Sequence, residues 1–194
     1  MVLTNTREQK QSILKQKGHC IWLTGLPGSG KTTIAAALET LFLEHDILVK
    51  VFDGDIIRSN INADLDFSEA GRMQNIVRTA HLNTELIACG LVVINAFVSP
   101  LNLMRQKAIE IVGKPDFTLI HIDCPLEVCE RRDPKGMYAQ ARQGKLKNFT
   151  GISDCYEAPV NPDLVINTAA ISVDDAVALI FNFVLPIIKP AHLL

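Results

Sequence analysis

The run Gly25-Leu26-Pro27-Gly28-Ser29-Gly30-Lys31-Thr32 closes a glycine-rich stretch on a lysine and a hydroxyl residue, the spacing G-x-x-x-x-G-K-[ST]. That spacing does polyphosphate chemistry. Its glycines let the backbone curl until N–H groups point inward at phosphate oxygens, Lys31 reaches the β and γ phosphates, and Thr32 offers its hydroxyl to Mg²⁺. A helix starting directly afterwards, from Thr33, aims the positive end of its dipole at the same anions. Further along, Asp53-Gly54-Asp55 with Arg58 behind it sets carboxylates where phosphoryl transfer needs a base or a ligand to metal-bound water. Asp-Gly-Asp is otherwise common turn punctuation, and its position after a strand beside the phosphate loop is what gives it weight.

From Arg131 to Lys147 the chain carries six basic residues (Arg131, Arg132, Lys135, Arg142, Lys145, Lys147) against one acid, Asp133. A solvated basic helix face would look similar. Following a strand at the phosphate end of a sheet, and with Gly136 and Gly144 as hinge points, it reads better as a cationic lid. Such a lid would close over polyphosphate, exclude water and stabilise the transferring group. Phe67 and Phe149 lie in the polar stretches DLDFSEAGR and KLKNFTGI. Aromatic faces in such settings are candidates to stack on a purine, although a lone loop aromatic is more often an anchor. Together these residues point to ATP, a second anionic substrate that carries an aromatic base, and phosphoryl transfer.

Elements that could hold these groups recur along the chain. Apolar, Val/Ile-rich runs at Cys20–Leu23, Leu48–Phe52, Leu91–Phe97, Phe117–Ile122 and Leu164–Ile166 read as strands of a buried parallel sheet. Helical spacing falls between them, at Thr33–His45, Gly71–Cys89, Met104–Val112 and Pro125–Arg132, and again at Ser172–Val184. Ser172 is placed to cap the last helix, with Asp174 and Asp175 in its first turn. The alternation predicts an α/β fold, a doubly wound sheet of about five parallel strands like that of P-loop nucleotide kinases, with the basic segment as lid. Ligands in such sheets sit at the carboxyl ends of the strands. No apolar run is read as ending in the Asp of a usual metal-holding motif, and the third strand, LVVINAFVSP, offers Asn95 and Ser99. This argues for a small-molecule kinase over a motor or helicase ATPase.

The chain has 194 residues, 48% hydrophobic and 21% charged, which predicts one domain over 1–194 with a polar N-terminal extension at 1–17. The net charge of −2 argues against a nucleic-acid polymer as partner. It is a sum of unlike parts, because the lid segment alone carries an excess of five positive charges. The five cysteines form no CxxC pair, so they read as free thiols in a reducing cytoplasm. The longest apolar run, Ala176–Ile188, is interrupted by Asn182 and Pro186 and falls short of the roughly 20 residues of a membrane helix. The expectation is a soluble cytoplasmic protein with no membrane partner.

The segments GLPGSGKTT, DGDIIR, DFSEAGRMQN, FVSP, CERRDPKGMYAQARQGKLKNFTGI and YEAP, in this order and spacing, resemble the adenylylsulfate kinases. The resemblance spans about Gly18 to Asn167, and the stretch from Cys129 to Pro159 is its most specific part. It implies transfer of the γ-phosphoryl of MgATP to the 3′-hydroxyl of adenosine 5′-phosphosulfate, in a homodimer serving sulfate activation. By position, Gly25, Gly28, Ser29, Gly30, Lys31, Thr32 and Thr33 would hold the ATP phosphates and Mg²⁺, with Arg132 on the ATP side. Asp53 would lie near the attacking hydroxyl, and Asp55 on the metal-water side. Arg58, Arg72 and Asn75 would hold phosphosulfate and ribose, and Phe67 and Phe149 would sandwich the adenine. The backbone of Val98 and Ser99, with Lys135 and Thr150, would complete the pocket. Ser99 also occupies the place of the serine proposed in the family as a phosphorylated intermediate; direct in-line transfer is the simpler route.

The chain departs from the family pattern at Asp66, where Gly is usual, and at Gly71, in place of the acidic lead-in D-R-x-E-N. It departs again at Asn102, which replaces an Arg. Two other readings compete. One is a P-loop kinase for another nucleotide or a polyol, and the other is a nucleotide-dependent binding module.

Overall fold

The structure is a computed structural model that describes residues 6–189. Five strands, β1 (His19–Thr24), β2 (Val49–Asp53), β3 (Val92–Ala96), β4 (Phe117–Asp123) and β5 (Leu164–Asn167), pair in parallel in the order β2-β3-β1-β4-β5. The helices are α1 (Arg7–Leu14), α2 (Lys31–Glu44), α3 (Gly54–Ser59), α4 (Glu69–Ala88), α5 (Asn102–Val112), α6 (Leu126–Arg132), α7 (Met137–Arg142) and α8 (Val173–Ile188). The chain runs outward from β1 to one side and, after β3, to the other. The crevice at the carboxyl ends of β1 and β3 is therefore the switch point where such sheets bind ligands.

Every residue of β1 is buried, and the period-2 alternation of a strand divides its side chains between two layers. Ile21 and Leu23 pack with Ile34, Leu38 and Phe42 of α2 and with Ile180 and Val184 of α8. Cys20 and Trp22 pack with Ile76 and Ala80 of α4 and with Met104 and Ala108 of α5. A third, smaller cluster lies under the basic segment and consists of Cys124, Cys129, Tyr138, Ala141 and Phe149. The lid thus has an apolar base of its own, and α6 and α7 give it regular structure. All five cysteines are free thiols.

Several sequence expectations need correction. Two strands do end in an aspartate, β2 at Asp53 and β4 at Asp123, because both run past the apolar residues that mark them. The polar stretch before Gly18 contains α1, capped reciprocally by Thr6 and Gln9, with Arg7 paired to Asp116 at 2.5 Å. Residues 1–5 of that stretch lie outside the described residues. Buried Gln16 donates to the Leu48 and Gly90 carbonyls, each at 2.8 Å, and closes the amino end of the sheet, away from the crevice. Pro125 is the residue before α6 rather than part of it. α8 continues through Pro186 to Ile188. Proline is tolerated there because it and Asn182, whose carbonyl loses its helical partner, are both exposed to water. Among the described residues no helix is long and apolar enough to cross a membrane.

Candidate active site

The loop after β1 wraps tightly because its glycines leave no room for side chains. A Cβ on Gly25 would lie 2.4 Å from the Ile122 carbonyl oxygen, and Gly30, which starts α2, has φ +103°. Lys31 is buried within this ring, and its Nζ donates to the Gly25 carbonyl at 2.9 Å and the Leu26 carbonyl at 2.8 Å. Burial lowers its pKa to about 8, against the opposing pull of Cys129, Asp53 and Asp55. Next along the chain, Thr32 Oγ1 donates to Asp53 Oδ2 at 2.7 Å. The other carboxylate oxygen of Asp53 accepts the Asp55 amide at 2.9 Å and so caps α3, an element that sequence reading left as a turn.

The acceptor side is built by α3, the turn after it and the start of α4. Arg58 donates to the Asp66 carbonyl at 2.8 Å, and its guanidinium lies 4.6 Å from the centre of the Phe67 ring. Phe67 is 58% exposed, a flat apolar face turned outward. Arg72 spans the gap to the lid, donating to the Phe67 carbonyl at 3.0 Å, to Thr150 Oγ1 at 2.9 Å and to the Asn148 carbonyl. Asn75 is buried, and its Oδ1 accepts from Asn62 Nδ2 at 2.8 Å. Sequence reading missed Asn62, which lacks a motif of its own.

Lid residues reach back over both sides. Lys135 pairs with Asp55, and Tyr138 donates to the Pro27 carbonyl of the phosphate loop at 2.8 Å. Arg132 donates to the backbone carbonyl of Thr168, whose hydroxyl donates to the Ser29 carbonyl at 2.8 Å. Tyr138 and Thr168 carried no sequence signal, because each acts through backbone carbonyls of the glycine-rich loop. Phe149 is buried at the edge of Tyr138, ring centres 4.9 Å apart and nearly perpendicular. The two phenylalanines read alike in sequence; here one is an exposed face and the other belongs to the lid core.

Ser99 differs most from its expected role. Its φ is +36°, and its buried hydroxyl accepts from Trp22 Nε1 and donates to Thr24 Oγ1, both at 3.1 Å. The oxygen is thus engaged inside the sheet rather than held toward the phosphate loop.

A cavity of about 800 Å³ runs from Gly28, Gly30, Thr32 and Thr33 past Asp53 and Asp55 to Phe67 and Phe149. Lys31, Arg72, Val98, Arg132, Lys135 and Thr150 also line it. A second cavity of about 90 Å³ adjoins it, walled by Arg58, Asn75 and Ser99 and sharing Asp55, Phe67, Arg72 and Val98 with the first. Of the site residues expected from sequence, only Gly25 and Ser29 lie on neither wall, since both are buried within the phosphate loop. Two adjoining cavities thus bring a glycine-rich loop, an arginine- and aromatic-lined pocket and two carboxylates together.

The family description "Adenylylsulphate kinase" matches residues 17–167. The chain belongs to the adenylylsulphate kinase family. An adenylyl-sulfate kinase of Bacteroides fragilis is 48% identical over 181 residues, covering 93% of this chain and 90% of that protein. An adenylylsulphate kinase of Mycobacterium tuberculosis, solved in complex with AMPPNP and APS, superposes with TM-score 0.84 at 41% identity, over 87% of this chain and 98% of that one. A gluconokinase of Sinorhizobium meliloti superposes with TM-score 0.61 at 13% identity over 90% of this chain and 95% of its own, which shows a shared fold alone.

Two of this chain's departures from the adenylylsulphate kinase pattern meet in space. A Cβ on Gly71 would lie 2.3 Å from Asp66 Oδ1 and 2.5 Å from the Asp66 carbonyl oxygen, so the carboxylate and the backbone of Asp66 together fill the place a side chain at position 71 would need. That carboxylate accepts from Ser68 Oγ at 2.6 Å, and Ser68 Oγ in turn accepts the Gly71 amide at 3.1 Å, capping α4.

Proposed function

We propose that this chain transfers the γ-phosphoryl group of ATP to the 3′-hydroxyl of adenosine 5′-phosphosulfate, giving 3′-phosphoadenosine 5′-phosphosulfate and ADP. The observation that carries this reading is the cavity of about 800 Å³ lined by the phosphate loop, Phe67, Arg72 and Phe149, with the smaller cavity that Arg58 lines adjoining it. Two nucleotides end to end fit that composition. One offers a triphosphate to backbone N–H groups and Lys31, and the other offers a purine to aromatic faces and an anionic phosphosulfate to arginines.

In this reading the 3′-oxygen attacks the γ-phosphorus, the bond to the ADP oxygen breaks, and the hydroxyl proton passes to the Asp53 carboxylate. Asp53 stands between the two substrate ends of the cavity, as the role requires. The Thr32 hydroxyl and Asp53 carboxylate form a hard-oxygen pair 2.7 Å apart, a donor set suited to Mg²⁺ and its waters. When bound, that ion would neutralise charge developing on the β and γ phosphates. Lys31 and Lys135 add positive charge from either side, and Arg132 fixes the ATP side of the lid. Asp55 holds Lys135 in place. Asn75, Val98 and Thr150 complete the acceptor wall. Ser99 acts through its backbone, and transfer is direct.

The single five-stranded sheet, with α1 tied to it through Asp116, supports one kinase domain. The homodimer and the role in sulfate assimilation rest on the family resemblance, and the cytoplasmic location on the reading of the free cysteines and apolar runs in the sequence. The test is ATP consumption by purified protein with Mg²⁺ and a panel of acceptors. Consumption strictly dependent on adenosine 5′-phosphosulfate is expected; turnover with a nucleoside or sugar instead would overturn the reading.

A further inference from the structure

We infer that Arg105 is a positioning residue for the acceptor nucleotide, acting with the Tyr156–Glu157 strap to fix the Val98–Pro100 backbone that floors the acceptor pocket. The inference rests on the kinase reading above and adds to it a residue outside the cavity walls.

Arg105 is 1% exposed, among the largest fully buried side chains in the protein. A buried guanidinium is costly unless its donors find partners. Here one Nη donates to the Ser99 carbonyl at 2.5 Å, and the other to Asn102 Oδ1 at 2.7 Å and the Glu157 carbonyl at 2.6 Å, while Nε is buried without a partner among the described residues. Its carbon centre lies 5.8 Å from the centre of the Tyr156 ring. The planar fork is what lets one cation bind the loop after β3 and the strap together; the single ammonium of lysine has no such geometry.

The same loop is gripped at three successive carbonyls. Val98 O accepts from Thr24 Oγ1 at 2.7 Å, Ser99 O from Arg105, and Pro100 O from the Glu157 amide at 2.8 Å. Ser99, at φ +36°, is in a conformation that a residue with a side chain does not adopt without support. Among the described residues neither the Val98 nor the Ser99 amide donates to a backbone acceptor of the protein, which leaves both for a ligand oxygen. Glu157 closes the clamp from outside. Its carboxylate accepts the Asn102 amide at 2.7 Å at the start of α5, where Leu101 supplies no side-chain cap. The strap begins six residues beyond Thr150 of the acceptor wall. Distortion of the clamp therefore acts first on the floor of the acceptor pocket, and meets the phosphate-loop side at Thr24.

Wild-type turnover with ATP and adenosine 5′-phosphosulfate is measured first, because it tests the kinase reading by itself. Arg105→Lys is then expected to raise the KM for the acceptor about tenfold and leave the KM for ATP within about twofold. Glu157→Ala, at an exposed position that leaves the core intact, is expected to shift the acceptor KM in the same direction by about threefold. Thermal unfolding of each variant identifies any that do not fold, and if Arg105→Lys is among them, Glu157→Ala decides. In folded variants, unchanged constants, or equal rises for both substrates, would overturn the inference while leaving the kinase reading in place.

Discussion

Thr32 Oγ1 donates to Asp53 Oδ2 at 2.7 Å, which joins the hydroxyl that ends the phosphate loop to the carboxylate that ends β2. The bond holds the proposed base, Asp53, beside the phosphate loop. Asp53→Asn keeps one oxygen to accept the Asp55 amide and cap α3, and its amide nitrogen can donate to a Thr32 hydroxyl turned round to accept, so the fold is expected to survive. The variant cannot take the hydroxyl proton. Its kcat is expected to fall about 10²-fold or more with circular dichroism unchanged. A rate within a few-fold of wild type would remove Asp53 from the base role.

Lys31 titrates where it can be observed. Burial lowers its pKa to about 8, so in the free protein its ammonium loses its proton as pH rises through that value. Bound phosphates favour the charged form and raise the pKa again. Binding of a non-hydrolysable ATP analogue at about pH 8.5 is therefore expected to take up protons, and binding near pH 6.5 to take up almost none from this group. Calorimetric titration in buffers of different ionisation enthalpy measures the number directly. Absence of uptake at the higher pH would mean that Lys31 is charged throughout.

Phe67 and Phe149 separate binding from stability. Phe67→Ala removes an exposed ring that rests on Arg58, so the melting temperature should hardly change while the acceptor KM rises. Phe149→Ala empties a place in the lid core beside Tyr138, where such truncations cost about 3–5 kcal/mol. Its acceptor KM should rise as well, with loss of stability of the lid. Limited proteolysis between Arg131 and Lys147 is expected to speed up in Phe149→Ala and to stay at the wild-type rate in Phe67→Ala; equal cleavage of the two variants would refute the distinction.

The strands were legible because parallel strands buried on both faces read as unbroken apolar runs, and the phosphate loop because its spacing is its function. The ends of β2 and β4 were not, since Asp53 and Asp123 continue the pairing after the apolar pattern stops. α1 lacks an apolar face to betray it; only the Thr6 and Gln9 cap marks its start. Pro186 interrupts the apolar run in sequence, yet its exposure lets α8 continue. The site residues on motifs, other than Gly25 and Ser29, line the two adjoining cavities. Tyr138, Thr168 and Arg105 were missed because they act on backbone carbonyls brought close by folding, which no spacing along the chain encodes.

Asp66 and Gly71 offer a double-mutant test. A Cβ at position 71 would collide with the Asp66 carboxylate, so Gly71→Asp alone is expected to displace the turn that carries Phe67 and to raise the acceptor KM. Asp66→Gly alone loses the bonds to Ser68. Combined, the two changes remove the contact with the carboxylate and leave the one with the Asp66 backbone carbonyl, so the double variant should stay impaired while being less damaging than the sum. Additive losses would show that the two positions are independent.

Ser99 decides between direct and covalent transfer. Its hydroxyl accepts the Trp22 indole N–H and donates to Thr24 within the sheet, while Arg105 holds its carbonyl. A nucleophile would have to break both hydroxyl bonds and strand a buried indole donor, at about 1–3 kcal/mol for the donor alone. Ser99→Ala incurs that same cost in stability, so a lower melting temperature is expected. Direct transfer needs only the backbone of this residue, and turnover in Ser99→Ala should stay within about tenfold of wild type. Incubation of the wild-type protein with γ-labelled ATP, without acceptor, should leave no label on Ser99 by mass spectrometry. A labelled Ser99 together with an inactive Ser99→Ala would establish the covalent route, and the buried hydroxyl seen here would then have to turn out of the sheet in every cycle.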